Sequence, residues 1–355
     1  MPFPRPKTEW IPYGVASLLT LPFLIFLILS DAPDRIFLAA LLGIPLIVCL
    51  ARYPEVALAV YLMIGMIKGD PRLSFMESLD LTLVFAGLLV AFLLAEVIYE
   101  KRRPPWPKEF LLYLPPVFMM LISLVYTPHF EIGVAKAGRF ILLTGLAIVS
   151  PLYFLGSSTK MMRFLTTLVG IGLLISVQSF PMLGGSERLV APSGLNIQLG
   201  YIAAISIILV VYLFLVDSSV YQRLLSYLLL AIFSIGLIGA GARSATIGAS
   251  VCMILCAVFY KRLIRDLLVF GGIVVLILWL VPIPEASYEY LGTLTRSNPH
   301  DVLTFRNDLM QLGVDLTSEY PFLGVGIGGY PFHSPDPNLY NWPHHVILEF
   351  SAETV

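Results

Sequence analysis

Apolar runs of about 20 residues follow one another along almost the whole chain, and each can cross about 30 Å of hydrocarbon as a helix. Inside a bilayer every backbone N–H and C=O must find a partner, so long unbroken runs of this kind become helices. Composition agrees. Of 355 residues, 58% are hydrophobic and 13% charged, with a mean hydropathy of +0.87, whereas a soluble domain carries about 25% charged residues. The sequence therefore predicts an all-α, polytopic transmembrane helical bundle of about 11–12 spans. The expected spans are residues 11–30, 36–51, 55–68, 79–99, 109–126, 139–156, 163–180, 196–216, 222–241, 244–260 and 267–283, with a twelfth starting near Pro343. Breakers such as Asp31-Ala32-Pro33-Asp34, Pro104-Pro105-Trp106-Pro107 and Pro282-Ile283-Pro284 punctuate the joins.

The first run follows Arg5 and Lys7, exceeds a signal-peptide core and lacks a small-x-small cleavage site, so it reads as a retained span. Cys49, Cys252 and Cys256 all lie within apolar runs. Cys252 and Cys256 share a helix face, and their ordinary reading is small packing residues.

A net charge of −1 excludes nothing about partners, so the distribution of charge decides the orientation. With the N-terminus inside, the dense clusters Lys101-Arg102-Arg103 and Lys261-Arg262 both fall inside, as the positive-inside rule requires. The expected organisation is a spanning bundle over residues 1–283, an outward loop over 284–342 carrying short helices, and a truncated twelfth span starting at 343–355. Several arginines then face outward, where topology disfavours them.

Three of these carry chemical promise. Arg188 follows Gly184-Gly185-Ser186-Glu187 in an outward loop, Arg243 sits in the tight hairpin Gly239-Ala240-Gly241-Ala242-Arg243-Ser244, and Arg306 opens an amphipathic helix expected from Phe305 to Ser318. Snorkelling to the surface or pairing with Asp308 would explain such residues singly. Together, planar guanidiniums that bind phosphate oxygens bidentately and keep their proton would clamp a diphosphate. His344 and His345 precede a helical run in which His345, Glu349 and Glu353 share one face. A metal edge there lacks a partner motif, and a histidine at an outer boundary suits a general base.

Two motif matches carry no function. Gly324-Val325-Gly326-Ile327-Gly328-Gly329 fits G-x-G-x-x-G, but Tyr330-Pro331 and the prolines at 335 and 337 forbid the helix that a dinucleotide fold needs next. Ser157-Ser158-Thr159-Lys160 fits S-x-x-K but reads as a helix cap. The chain has no Asp-x-Asp pair of the kind common in metal-dependent nucleotide-sugar transferases.

In order along the chain, Arg188 with Gly194 and Asn196, the hairpin around Arg243, the Arg306 helix leading to Pro321-x-x-Gly324-x-Gly326-x-Gly328, and His344-x-x-x-Leu348-Glu349-x-x-x-Glu353 resemble the O-antigen ligase and polysaccharide polymerase superfamily. The resemblance covers about residues 188–355. It implies a bacterial inner-membrane enzyme with a cytoplasmic N-terminus and a periplasmic long loop. That enzyme would transfer a glycan from undecaprenyl diphosphate to an acceptor hydroxyl such as a lipid A core sugar. Arg188 and Arg243 would hold the leaving diphosphate, His344 would take the acceptor's proton, and Arg306, Asn196, His345 and Glu349 would contact substrate. Membrane lipid is an expected partner, and no metal, cofactor or nucleic acid is expected.

The chain departs from the family where His345 replaces the usual small amide or hydroxyl residue, leaving either histidine as the base, and where Val355 replaces the usual glycine. Repeat-unit polymerase and protein O-oligosaccharyltransferase share this site logic. A transporter would place acids or histidines deep in its spans and show paired broken helices, which the sequence does not suggest.

Overall fold

A computed structural model describes residues 47–68, 70, 80–99, 108–215, 219–261, 263–287, 300–333 and 345–354, and among them every regular element is helical. The principal helices are α1 (Pro54–Met63), α2 (Leu81–Tyr99), α3 (Leu114–Ser123), α4 (Phe130–Phe154, with a π turn at Phe140–Thr144), α5 (Ser158–Gln178), α6 (Asn196–Val210, prolonged by a π turn to Leu215), α7 (Val220–Ala240), α8 (Arg243–Phe259), α9 (Leu263–Leu280), α10 (His300–Glu319) and α11 (Val346–Thr354). Six of them, α2, α4, α5, α6, α7 and α9, are long and apolar enough to cross a membrane, and α1, α3 and α8 are shorter apolar helices. The chain is thus an all-α, multi-pass bundle. The span expected at 11–30, and most of that at 36–51, lie outside the described residues.

The described residues fall into two compact units, one from Met1–Glu96 and Tyr153–Arg296, the other from Val97–Leu152 and Ser297–Val355. In the first, Leu199, Ile202, Ala203 and Ile207 of α6 are buried against Leu168 and Ile175 of α5 and Leu230, Phe233 and Leu237 of α7. Lipid tails are as apolar as leucine, so helices in a bilayer associate through close packing at small residues. A Cβ on Gly172 of α5 would lie 2.1 Å from Ser206 Oγ, and one on Gly200 of α6 would lie 2.3 Å from Ala242 Cβ.

Helices α5 to α9 alternate in direction. The C-termini of α5, α7 and α9 therefore share one end of this unit with the N-termini of α6 and α8, where Gly184 N–H donates to Pro282 O at 2.8 Å. At the opposite end, Arg163 Nη1 pairs with Glu55 Oε1 at 3.1 Å and lies 5.0 Å from the centre of the Tyr53 ring. Ser157 caps α5 by accepting Lys160 N–H at 3.3 Å, which is the role its S-x-x-K context suggested.

In the second unit, α4 begins at Phe130, nine residues before the start expected at 139. Glu131, Lys136 and Arg139 marked that stretch as too polar to span, but Lys136 finds its counter-charges on α11. The π turn frees carbonyls that a bilayer could not hydrate. Tyr113 Oη faces two of them, sharing its single proton between Phe140 O at 2.9 Å and Ile141 O at 3.1 Å.

Gly324, Gly326 and Gly328 all have left-handed φ, at +60°, +86° and +78°. A Cβ on Gly324 would sit 2.6 Å from Ala352 O, and one on Gly326 2.6 Å from Thr127 Cα. The formal G-x-G-x-x-G is therefore a packing device between the α3–α4 turn and α11. Gly326→Ala is expected to destabilise the protein by about 2 kcal/mol or more through strain and overlap. Gly248→Ala, facing open space in α8, should be neutral or mildly stabilising. Thermal unfolding of both variants in detergent checks this, and equal midpoints would refute it.

Candidate active site

The last four carbonyls of a helix have no partner within it. At the C-terminus of α7, three distant segments supply donors. Leu189 N–H donates to Gly239 O at 2.9 Å, Ser287 Oγ to the same oxygen at 2.5 Å, and Asn196 Nδ2 to Ala240 O at 3.0 Å. Gly241, at φ +63°, closes the helix. Gly239 has to be small, because a Cβ there would fall 2.3 Å from Leu189 Cδ1.

This joint places the residues singled out in the sequence. Arg188 precedes Leu189 and its Nε donates to Ala286 O at 3.4 Å, Asn196 is the first residue of α6, and Arg243 is the first residue of α8. All three are half-buried. Their backbones converge on one helix terminus although they lie far apart in sequence. Tyr201 Oη and Ser244 Oγ, 3.1 Å apart, add a hydroxyl pair at the same end.

The start of α6 has Leu195 and the start of α8 has Ala242 as the capping residue, and neither provides a side-chain cap. Helix N-termini carry unpaired N–H groups and a partial positive charge, which makes them natural anion sites. Two such poles beside two guanidiniums suit a ligand with several anionic oxygens.

The second unit holds the remaining candidates. His344 lies outside the described residues. His345 precedes α11, and its Nδ1 accepts Leu348 N–H at 3.3 Å. With that lone pair engaged, a neutral His345 carries its proton on Nε2 and presents a donor. Glu349 and Glu353 share a face of α11, as their spacing implied, and Lys136 Nζ meets Glu349 Oε1 at 2.5 Å and Glu353 Oε2 at 2.6 Å. Arg306 lies on α10, near its start, and its side chain is outside the described residues.

Helix α10 packs on α11 close to Gly313, where a Cβ would stand 3.4 Å from Leu348 Cβ. Tyr330, fully buried, donates to Leu309 O. Burial, and secondarily the Glu349 carboxylate, push its hydroxyl up to about 12, so it remains a donor at any physiological pH. His129 stacks on Phe332 with ring centres 3.3 Å apart.

Lys136 is the residue that sequence reasoning passed over. The signal was available, since two acids one turn apart on an apolar helix require a cation.

Residues 228–354 match the family model of O-antigen ligase. No curated protein and no solved structure matches the chain.

Asn196→Ala removes one donor from the α7 terminus. The expected loss is about 0.5–1.5 kcal/mol, with faster amide exchange confined to residues around 240–243. Unaltered exchange there would show that the bond does not hold the turn.

Proposed function

We propose that this chain, a member of the O-antigen ligase superfamily by its match over residues 228–354, transfers a glycan from undecaprenyl diphosphate to an acceptor hydroxyl on a lipid A core sugar. The observation that carries this reading is the gathering of Arg188 and Arg243 with the uncapped N-termini of α6 and α8 at one end of a membrane-spanning unit. On the positive-inside rule that end faces outward and the N-terminus and the Lys101-Arg102-Arg103 cluster face inward; the family resemblance implies the bacterial inner membrane, and so a periplasmic site. Residues 1–283 then form the spanning part, 284–342 a periplasmic loop, and 343–355 the start of a twelfth span.

The acceptor oxygen attacks the anomeric carbon, forming the new glycosidic bond as the bond from that carbon to the phosphate oxygen breaks. The electron pair departs on the lipid diphosphate, which gains one negative charge. Arg188, Arg243 and the two helix poles are complementary to that charge and lower the barrier by stabilising it as it develops. The acceptor's proton passes to His344. His345, whose Nδ1 is already engaged by Leu348 N–H, donates from Nε2 to a sugar oxygen instead. Glu349 binds Lys136 through one oxygen and stays partly exposed, so its other oxygen can receive a sugar hydroxyl. Asn196 and Arg306 complete the substrate contacts. This mechanism calls on no metal or nucleotide, because the diphosphate is already a good leaving group.

The test is transfer in vitro by purified protein from a lipid-diphosphate glycan to lipid A core, to a second donor glycan, or to protein. Transfer to lipid A core is expected. Elongation of the donor glycan would make the enzyme a polymerase, and transfer to protein an O-oligosaccharyltransferase. Arg188→Ala, Arg243→Ala and His344→Ala should each lower the rate at least ~100-fold with expression intact. Arg243→Lys should fall between, because an ammonium cannot form the bidentate pair. Full activity in His344→Ala that disappears on also changing His345 would reassign the base.

A further inference from the structure

The geometry points to Lys136 as a positioning residue that holds α11, and thereby His345 at its start, in a fixed orientation. Lys136 lies within α4, a helix long and apolar enough to cross the membrane, where a lone ammonium is unfavourable. It reaches two carboxylates at once, Glu349 Oε1 at 2.5 Å and Glu353 Oε2 at 2.6 Å. These acids are four residues apart and so lie on the same face of α11. The Glu353 side chain is 2% exposed, and Oε1 of that carboxylate has no hydrogen-bond partner among the described residues. Removing the ammonium would leave two like charges facing each other with little water to screen them.

Helix α11 is also held through its backbone. Val325 N–H donates to Ala352 O at 2.8 Å, Ser123 Oγ lies 3.5 Å from Glu353 O, and Gly324 presses on the backbone of Ala352 and Glu353. The glycine segment fixes where the helix sits. The lysine fixes its rotation, because only one face carries both acids. His345 sits one turn from Glu349, whose N–H donates to His345 O at 3.0 Å, so a rotation of α11 swings the imidazole with it.

The catalytic part of this role rests on the glycan-transfer reading, so the experiment has two arms. In the first, hydrogen exchange of the purified full chain is followed for residues 345–354, with residues 196–240 as the folding control. Lys136→Met should accelerate exchange in 345–354 and leave the control unchanged. In the second, Lys136→Met should lower kcat by about 100-fold, the scale of an ångström-level misplacement, while KM for the lipid-linked donor stays within about threefold. Lys136→Arg should retain most of the wild-type kcat, and the exchanged pair Lys136→Glu with Glu353→Lys should recover at least about tenfold over Lys136→Met.

Unchanged exchange and unchanged kcat in Lys136→Met would overturn the proposal, as would a folded exchanged pair without recovered kcat. If Lys136→Met unfolds throughout, the exchanged pair decides by the same criterion. A wild-type protein without transfer activity, combined with loosened 345–354 in Lys136→Met, would sink the reaction reading and leave the positioning of α11 standing.

Discussion

The carbonyls at the end of α7 are the constraint around which the arginine-bearing end of the first unit is built. A helix terminus near the edge of hydrocarbon has acceptors that neither water nor its own turns can fully supply. Here the donors come from three other stretches of chain, Leu189, Asn196 and Ser287. Satisfying the backbone and assembling the site are therefore one event. Arg188 and Asn196 arrive beside Arg243 because their neighbours, or their own amide, complete the hydrogen bonding of α7. Gly239 and Gly200 permit it, since a methyl group at either position would overlap Leu189 or Ala242, with only 2.3 Å between the carbons.

The second unit solves the opposite problem, charge rather than backbone. Two acids and one lysine are expensive to bury singly, and continuum arguments give a buried ion pair little net stability over apolar residues of the same shape. What such a cluster does supply is direction. Hydrophobic contacts such as Leu316, Tyr330 and Ala352 tolerate small rotations of a helix, whereas two carboxylates meeting one ammonium do not. The left-handed glycines act in the same sense, since backbone packed on backbone leaves no slack to re-pack.

Much of this was legible in the sequence. Span after span followed from apolar run length, because hydrocarbon thickness dictates helix length, and the ends of α6, α7 and α8 fell within a few residues of expectation. The cap at Ser157 and the rejection of the glycine motif as a nucleotide loop were also readable, from local chemistry alone. The start of α4 was not. Glu131, Lys136 and Arg139 break the hydropathy signal, and the residues that neutralise Lys136 lie more than 200 positions away, on α11. Arg188 and Arg243 were identifiable as unusual, but their convergence was not, because it depends on hydrogen bonds between segments rather than on any pattern within one.

The O-antigen ligase match begins at residue 228, inside α7. It takes in Arg243, Arg306, His344, His345 and Glu349, and leaves out Lys136, Arg188 and Asn196. Each excluded residue is nevertheless tied to the matched segment. Asn196 itself and the neighbour of Arg188 bond to the end of α7, and Lys136 bonds to α11. Taken alone, the matched segment would keep the Ser287 donor on Gly239 O but lose the Leu189 and Asn196 donors from the α7 terminus, and would carry two unneutralised acids on α11. The matched segment relies on the preceding helices for donors and a cation, so a resemblance concentrated in the C-terminal part does not make that part structurally self-sufficient. The α7 terminus draws donors from Leu189 and from Asn196 at the start of α6, and α11 draws its cation from α4.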